Sequence, residues 1–79
     1  MNLYGYIEDN RDQLVRLAEV TLQAEPEELK AIASFLLKCA EQMEGSDTWE
    51  HEHFLDSNPS NGTSPDLIVF RLDQKGRSE

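Results

Sequence analysis

Apolar residues recur at steps of three and four between residues 26 and 44, which is the spacing of one face of an α-helix. This stripe consists of Leu29, Ile32, Ala33, Leu36, Ala40 and Met43. Pro26 suits the first helical position, where the N–H of any residue would be unpaired, and Gly45 suits a left-handed stop after the last turn. The pattern therefore predicts a helix over residues 26–44 that packs one side against a core.

Other segments show the period of two that is typical of a half-buried strand. Residues 14–24 alternate in this way, and so do residues 49–55. Residues 66–72 contain an apolar run, which indicates a strand at a central position in a sheet. Residues 1–7 are compatible with a short strand or an irregular lead-in, whereas the polar residues 8–13 indicate a turn or loop.

These elements follow each other in the order β(β)αββ and predict an α+β fold. We expect a small antiparallel sheet of three to four strands with the helix packed on one face. The length of 79 residues predicts a single domain over 1–79, with an ordered core of about 14–72. Turn-forming residues predict a flexible loop over 56–65, and the polar residues 73–79 predict a frayed tail.

The charge balance narrows the classes of partner. Sixteen acidic residues against seven basic ones give a formal net charge of −9. Such a surface repels nucleic acids and anionic membranes, because proteins that bind them carry a basic footprint. It attracts basic proteins and speeds encounter with them. The alternative is that the charge serves solubility alone.

The acidic residues are unevenly distributed along the chain. Between Lys38 and Arg71 there is no Lys or Arg. We call residues 41–66 the acidic segment, after its carboxylates Glu41, Glu44, Asp47, Glu50, Glu52, Asp56 and Asp66. Trp49 lies within this segment, either as a lid over the core or as an anchor in an interface. The predicted partner-binding residues are Glu41, Glu44, Asp47, Trp49, Glu50, Glu52 and Asp56.

Cysteine usage and hydropathy bear on the compartment. A single cysteine, Cys39, excludes an intrachain disulfide and indicates a reducing environment. No apolar run approaches the roughly 20 residues that span a bilayer. The N-terminal residues lack the basic and apolar regions of a signal peptide. We therefore expect a cytoplasmic protein.

The most distinctive candidate chemistry is the pair His51 and His53. Residues two apart on a strand point to the same side, so both imidazoles could reach one metal ion, with Asp56 or Cys39 as a further ligand. The alternative is two half-exposed histidines among glutamates, whose protonation those carboxylates favour. Cys39 lies on or near the apolar stripe, where cysteine packs as a small hydrophobe. No phosphate-binding loop or nucleophile with a convincing setting is present, so we expect neither an enzyme nor a cofactor.

Several stretches together resemble the immunity protein 32 family of bacterial polymorphic toxin systems. They are residues 19–22 (EVTL), 24–29 (AEPEEL), 40–44 (AEQME), 51–53 (HEH) and 65–69 (PDLIV). The resemblance covers about residues 17–72, and Glu25 departs from it where an Asp helix cap is expected. It implies a small cytoplasmic protein that binds and blocks a cognate toxin and has no reaction of its own. It does not identify the toxin.

Two other functions stay open at this point. One is a metal-binding protein that uses His51 and His53. The other is a homodimeric structural or regulatory module formed through an exposed sheet edge, so the expected state is a monomer or a weak homodimer.

Overall fold

The computed structural model describes residues 1–59 and 64–72. Its elements in chain order are β1 (Leu3–Ile7), β2 (Asn10–Leu17), α1 (Pro26–Gly45), β3 (His51–His53), α2 (Phe54–Ser57) and β4 (Ile68–Phe70). The α+β prediction is confirmed. The predicted frayed tail over 73–79, and residues 60–63 of the predicted flexible loop, lie outside the described residues.

Helix α1 begins where the sequence predicts. Pro26 occupies the first turn, and the preceding Glu25 is extended and makes no capping bond with its side chain. The backbone of Glu25 still accepts the Leu29 N–H at 3.0 Å, which closes the first turn. The prediction of a left-handed Gly45 is wrong. Gly45 is the last helical residue, and the chain leaves the helix through an extended Ser46 (φ −149°, ψ 122°).

Strands β1 and β2 form an antiparallel hairpin in which Leu3 pairs with Leu17 and Gly5 with Val15. A Cβ atom at Gly5 would lie 3.3 Å from Leu17 Cδ1, so glycine allows this close approach. The register shifts between Gly5 and Ile7, which marks a bulge or irregularity. Of the two alternatives for residues 1–7, the structure therefore contains the strand.

The strand predicted over residues 14–24 is correct only as far as Leu17. Residues 18–25 are not a strand, and Val20 and Leu22 are 55% and 56% exposed. The polar residues from Asn10 onwards, predicted as a loop, belong to β2 instead. The physical reason is pairing: a turn at Glu8 and Asp9 brings β2 beside β1, whereas no strand in the described part of the chain pairs with the alternating residues after Leu17.

Strands β3 and β4 form a second antiparallel pair, with His51 opposite Phe70, Glu52 opposite Val69 and His53 opposite Ile68. The four strands thus form two sheets of two and not the single sheet that was predicted. The central position predicted for the last strand is also wrong, because within the described residues β4 pairs with β3 alone. An apolar run does not require burial on both faces here, since Ile68 and Phe70 are 43% and 67% exposed.

The core lies between α1 and the β3–α2–β4 unit. Its buried side chains are Phe35, Cys39 and Phe54, and the rings of Phe35 and Phe54 meet edge to face at 5.3 Å. Half-buried residues surround them, namely Ala31, Ile32, Trp49, Leu55, Leu67 and Val69. The predicted apolar stripe is therefore only partly correct, because Leu29 and Leu36 are 43% and 45% exposed. Among the residues that the structure describes, the core that packs against α1 comes from the small β3–α2–β4 unit and its flanking residues, so the buried strip is narrow.

Short helix α2 follows β3 without a break, so the strand predicted over residues 49–55 ends at His53. None of the helices in residues 1–59 and 64–72 combines the length and the apolar character needed to cross a membrane.

Candidate partner-binding surface

Most carboxylates of the acidic segment face solvent. The exposed ones among the predicted partner-binding residues are Glu41, Glu44, Asp47, Glu50 and Asp56, and Glu52 is half-buried. Within residues 1–59 and 64–72 the one ion pair joins His53 to Asp66. No Lys or Arg of that part of the chain neutralises these carboxylates, and Arg16 instead donates to Asn2 Oδ1 at 3.1 Å.

Arg71, which follows β4, is the cation that lies nearest in sequence to the C-terminal end of the acidic segment. Its Nε donates to Trp49 O and its Nη2 to Met43 O, both at 2.7 Å. Nη2 also donates to Ser46 O. The Arg71 backbone N–H donates to Glu50 O at 2.8 Å and so extends the β3–β4 ladder by one pair. The guanidinium therefore bonds to backbone carbonyls at the end of α1, where the helix dipole is negative.

Asp66 links the segment before β4 to the start of α2. Its Oδ2 lies 2.7 Å from His53 Nδ1, and its Oδ1 accepts the backbone N–H groups of Leu55 at 3.0 Å and Leu67 at 2.8 Å. Burial opposes ionisation of Asp66, but these hydrogen bonds together outweigh it and lower its pKa. The hydrogen bond to Asp66 raises the pKa of His53, and burial opposes this only in part.

The two faces of the β3–β4 pair differ in character. Partners directly opposite each other share a face, so His51, His53, Ile68 and Phe70 lie on one side. The imidazole of His51 stacks on the Phe70 ring, with centroids 4.5 Å apart and planes 17° apart. Glu52 and Val69 lie on the other side, where Val69 packs against the core.

The inward direction of Glu52 explains part of the environment of Cys39. Burial raises the pKa of the Cys39 thiol, and the Glu52 carboxylate raises it further, while Lys38 acts in the opposite sense. Cys39 is 1% exposed, as expected for a small hydrophobe in the core.

The paired histidines do not form part of a larger ligand cluster with any of the residues that the structure describes. The rings of His51 and His53 lie 5.6 Å apart, and His53 Nδ1 already bonds to Asp66. Among residues 1–59 and 64–72, no group of three or more His, Cys, Asp or Glu side chains could hold a metal ion. Neither Asp56 nor Cys39 therefore joins the histidines as the further ligand that was considered.

Trp49 packs half-buried against the core, and its indole N–H donates to Gln42 Oε1 at 3.1 Å. Its position agrees with the interpretation of a core lid, and the same side chain also borders solvent. It lines a groove of about 490 Å³ together with Asp47, Thr48, Glu50, Phe70 and Arg71. We call this the Trp49 groove.

A second open hollow of about 520 Å³ lies at the N-terminal end of α1. It is lined by Gln23, Ala24, Glu25, Glu27 and Glu28. It lies outside the acidic segment and lacks aromatic side chains.

Sequence patterns could find some of these features and not others. Counting charges finds the acidic segment, and the tryptophan within it draws attention to the Trp49 groove. The roles of Arg71 and Asp66 were missed, because all of their partners except Leu67 lie 11 to 28 residues away along the chain. The one local signal was that Arg71 is the first cation after a long stretch without any.

Comparison with known proteins gives one match. The model of a protein family described as Immunity protein 32 matches residues 19–72. The matched region contains α1, β3, α2, β4 and the whole acidic segment, and it begins after β2. No curated protein and no solved structure matches the chain.

Proposed function

Since the chain belongs to the immunity protein 32 family, we propose that it protects its producer by binding a cognate toxin and blocking it. The observation that carries the proposal is the family match, which contains all the carboxylates of the acidic segment. The proposed contact surface consists of Glu41, Glu44, Asp47, Trp49, Glu50, Glu52 and Asp56. The chain itself contributes no reaction, because covering the toxin is sufficient to inhibit it.

The charge layout supports a basic toxin as the partner. Five of the proposed contact residues carry exposed carboxylates, and no Lys or Arg of the described residues pairs with them. Unpaired charges of one sign create a field that extends over about one Debye length, roughly 8–10 Å at physiological salt. Such a field steers an oppositely charged protein toward the surface and raises its association rate.

Aromatic side chains near the carboxylates are suited to prolong the lifetime of a complex. Surface charges raise the association rate but add little to the lifetime of a complex, which depends on desolvated anchors. Trp49 lies within the acidic segment and the exposed Phe70 lies shortly after it in sequence, and both side chains are large. Tryptophan is enriched among the residues that dominate binding energy. The proposal therefore assigns fast encounter to the carboxylates and slow release to the aromatic residues, in a cytoplasmic monomer or weak homodimer.

Growth protection tests the function directly. The test first requires a candidate toxin, which is to be sought as the C-terminal domain of a large secreted protein encoded by a reading frame that neighbours this chain's own. We expect bacteria that produce the toxin domain to grow only when the chain is produced as well, and the two proteins to co-purify. The proposal fails if the toxin domain still kills cells in which the chain accumulates in soluble form. Light scattering of the purified chain separates monomer from dimer before the binding measurements.

Charge reversal tests the proposed surface. Glu44→Lys alters the acidic segment, and Glu28→Lys makes the same charge change in the first turn of α1, outside that segment. At low salt we expect Glu44→Lys to slow association with the toxin domain by about three- to tenfold and Glu28→Lys to have less effect. The difference should shrink in high salt. Equal rates for the two variants at low salt would remove Glu44 from the contact surface.

A further inference from the structure

We infer that the Trp49 groove receives one lysine or arginine side chain of the partner. This inference rests on the proposed function and deepens it, because it names the subsite and the chemical group that enters it. The groove lies between the end of α1 and the β3–β4 pair and has a volume of about 490 Å³. Its features are aromatic side chains and a carboxylate rim.

The aromatic side chains are held in place before any partner binds. Packing against the core and the bond to Gln42 fix the Trp49 indole. The Phe70 ring is 67% exposed, yet it is stacked on His51 at 4.5 Å. Side chains of lysine and arginine bury an aliphatic stem against apolar surface and place their cation over aromatic faces. A pre-ordered aromatic site accepts such a side chain with little loss of conformational entropy in the protein.

The rim supplies the acceptors that a cation requires. Asp47 and Glu50 both line the groove, and both are exposed. Neither makes an ion pair with a Lys or Arg of the described residues. Two carboxylates at one groove can accept several hydrogen bonds from a guanidinium or an ammonium group, and charge-assisted bonds of this kind are the stronger ones.

Arg71 also lines the groove and has to be reconciled with a cationic guest. Its Nε and Nη2 already donate to the carbonyls of Trp49, Met43 and Ser46. The end of α1 carries about half a negative charge, which offsets part of the guanidinium charge. With two carboxylates against this one compensated cation, the groove is negative. An anionic guest would meet both carboxylates and find the Nε donor of Arg71 already used.

Tryptophan fluorescence tests the groove without the toxin. Trp49 is the single tryptophan of the chain, so its emission reports on this site alone. We expect tri-arginine at low salt to change the emission in a saturable way and tri-glutamate to leave it unchanged. A response to tri-glutamate, or no response to tri-arginine, would overturn the inference.

A matched pair of double variants tests the rim. Asp47→Asn with Glu50→Gln removes two charges at the groove, whereas Glu27→Gln with Glu28→Gln removes two charges at the start of α1. We expect the groove pair to weaken tri-arginine binding by about fivefold or more and the control pair by less than about twofold. Phe70→Ala should also weaken it, and its exposure means that the fold tolerates the change. Equal weakening by both double variants would show that net charge alone governs tri-arginine binding, and it would refute the Trp49 groove as the binding site.

The same variants with the toxin domain separate the two proposals. We expect the groove pair to weaken toxin binding by about tenfold or more, measured as Kd, and the control pair by less than about threefold. If the toxin domain binds and both pairs behave alike, the groove is not the subsite and the proposed function stands. If tri-arginine binds as expected and the toxin domain does not bind the wild-type chain, the proposed function is refuted, whereas the Trp49 groove is supported as a site for a cationic side chain.

Discussion

Replacing Arg71 with methionine should destabilise the fold more than any other change to a charged residue in the described part of the chain. The guanidinium donates to three backbone carbonyls, those of Met43, Ser46 and Trp49. Met43 lies in the last turn of α1, Ser46 is its C-cap, and Trp49 lies between α1 and β3. Methionine keeps most of the aliphatic length and removes every donor, so the change isolates the hydrogen bonds.

The expected loss follows from the number and kind of bonds. A hydrogen bond that involves a charged group contributes about 1.5–3 kcal/mol. Arg71 is half-buried, so water can solvate part of what the guanidinium leaves behind. We therefore expect a net loss of about 2–4 kcal/mol for the three bonds together. A chain of this length has a total stability of about 4–12 kcal/mol, so the loss is a large fraction of it.

Urea unfolding followed by Trp49 emission and by helical circular dichroism measures the loss. Arg16→Met is the matched control, because Arg16 is exposed and its side chain donates only to Asn2 among the described residues. We expect the control to cost less than about 0.5 kcal/mol. Arg71→Lys should fall in between, since an ammonium lacks the planar fork that reaches separate carbonyls. A loss below about 0.5 kcal/mol for Arg71→Met would refute the reasoning.

Three further predictions concern the core and the ion pair. Phe35→Ala should lower the free energy of unfolding by about 3–5 kcal/mol, because Phe35 is only 4% exposed. Leu37→Ala on the same helix should lower it by less than about 1 kcal/mol, because Leu37 is 61% exposed. Urea unfolding measures both losses, and similar values would contradict the packing of Phe35. The raised pKa of His53 stabilises the fold below the ordinary histidine value of about 6.5 and loses this effect as pH rises through the raised value. The lowered pKa of Asp66 stabilises the fold above the ordinary aspartate value of about 3.9 and loses this effect as the pH falls through the lowered value. The destabilisation by His53→Gln should therefore be larger at pH 5 than at pH 8.5, and the reverse order would contradict it. Burial shields the Cys39 thiol from reagents and raises its pKa. At pH 8, a disulfide reagent should therefore react with the native chain more than about tenfold slower than with the chain unfolded in urea. Equal rates would contradict the burial of Cys39.

Local patterns sufficed to predict the helix but not the pairing of the strands. Pro26 and the three- and four-residue spacing belong to α1 alone, so they needed no knowledge of the rest of the chain. The alternation after Leu17 has the same period as a true strand, yet no strand of residues 1–59 and 64–72 pairs with it. Pairing depends on which segments meet in space, and a period of two does not contain that information.

The end of β3 illustrates the same limit at a smaller scale. Alternation predicts that the strand continues through Leu55, but the chain turns into α2 at Phe54. The Leu55 N–H is held there by the Asp66 carboxylate, 11 residues further along the chain. Aspartate is a good acceptor for N–H groups at the start of a helix, yet its usual place is next to that helix in sequence.

For the candidate site, the clustering of acidic residues was predictable from the sequence, but the directions of their side chains were not. Counting finds the carboxylates of the acidic segment, because a stretch without cations is visible in any sequence. Alternation also places Glu50 and Glu52 on the same side of a strand. In the structure Glu50 lines the Trp49 groove and is exposed, whereas Glu52 is half-buried and acts on Cys39. Glu50 precedes β3, so strand alternation does not govern its direction.

The position of Arg71 connects the stability of this fold to the availability of its acidic surface. A cation beside Asp47 and Glu50 would ordinarily be expected to pair with them and remove their charge from the field that a partner meets. Folding instead directs the donors of Arg71 to backbone carbonyls. The same three hydrogen bonds therefore tie the end of α1 to the residue after β4 and keep the Arg71 guanidinium from pairing with Asp47 and Glu50. For this reason, we expect neutral substitutions of Asp47 and Glu50 to weaken binding without lowering the stability of the fold. Substitution of Arg71 should instead destabilise the end of α1 and β3–β4, which together form the groove.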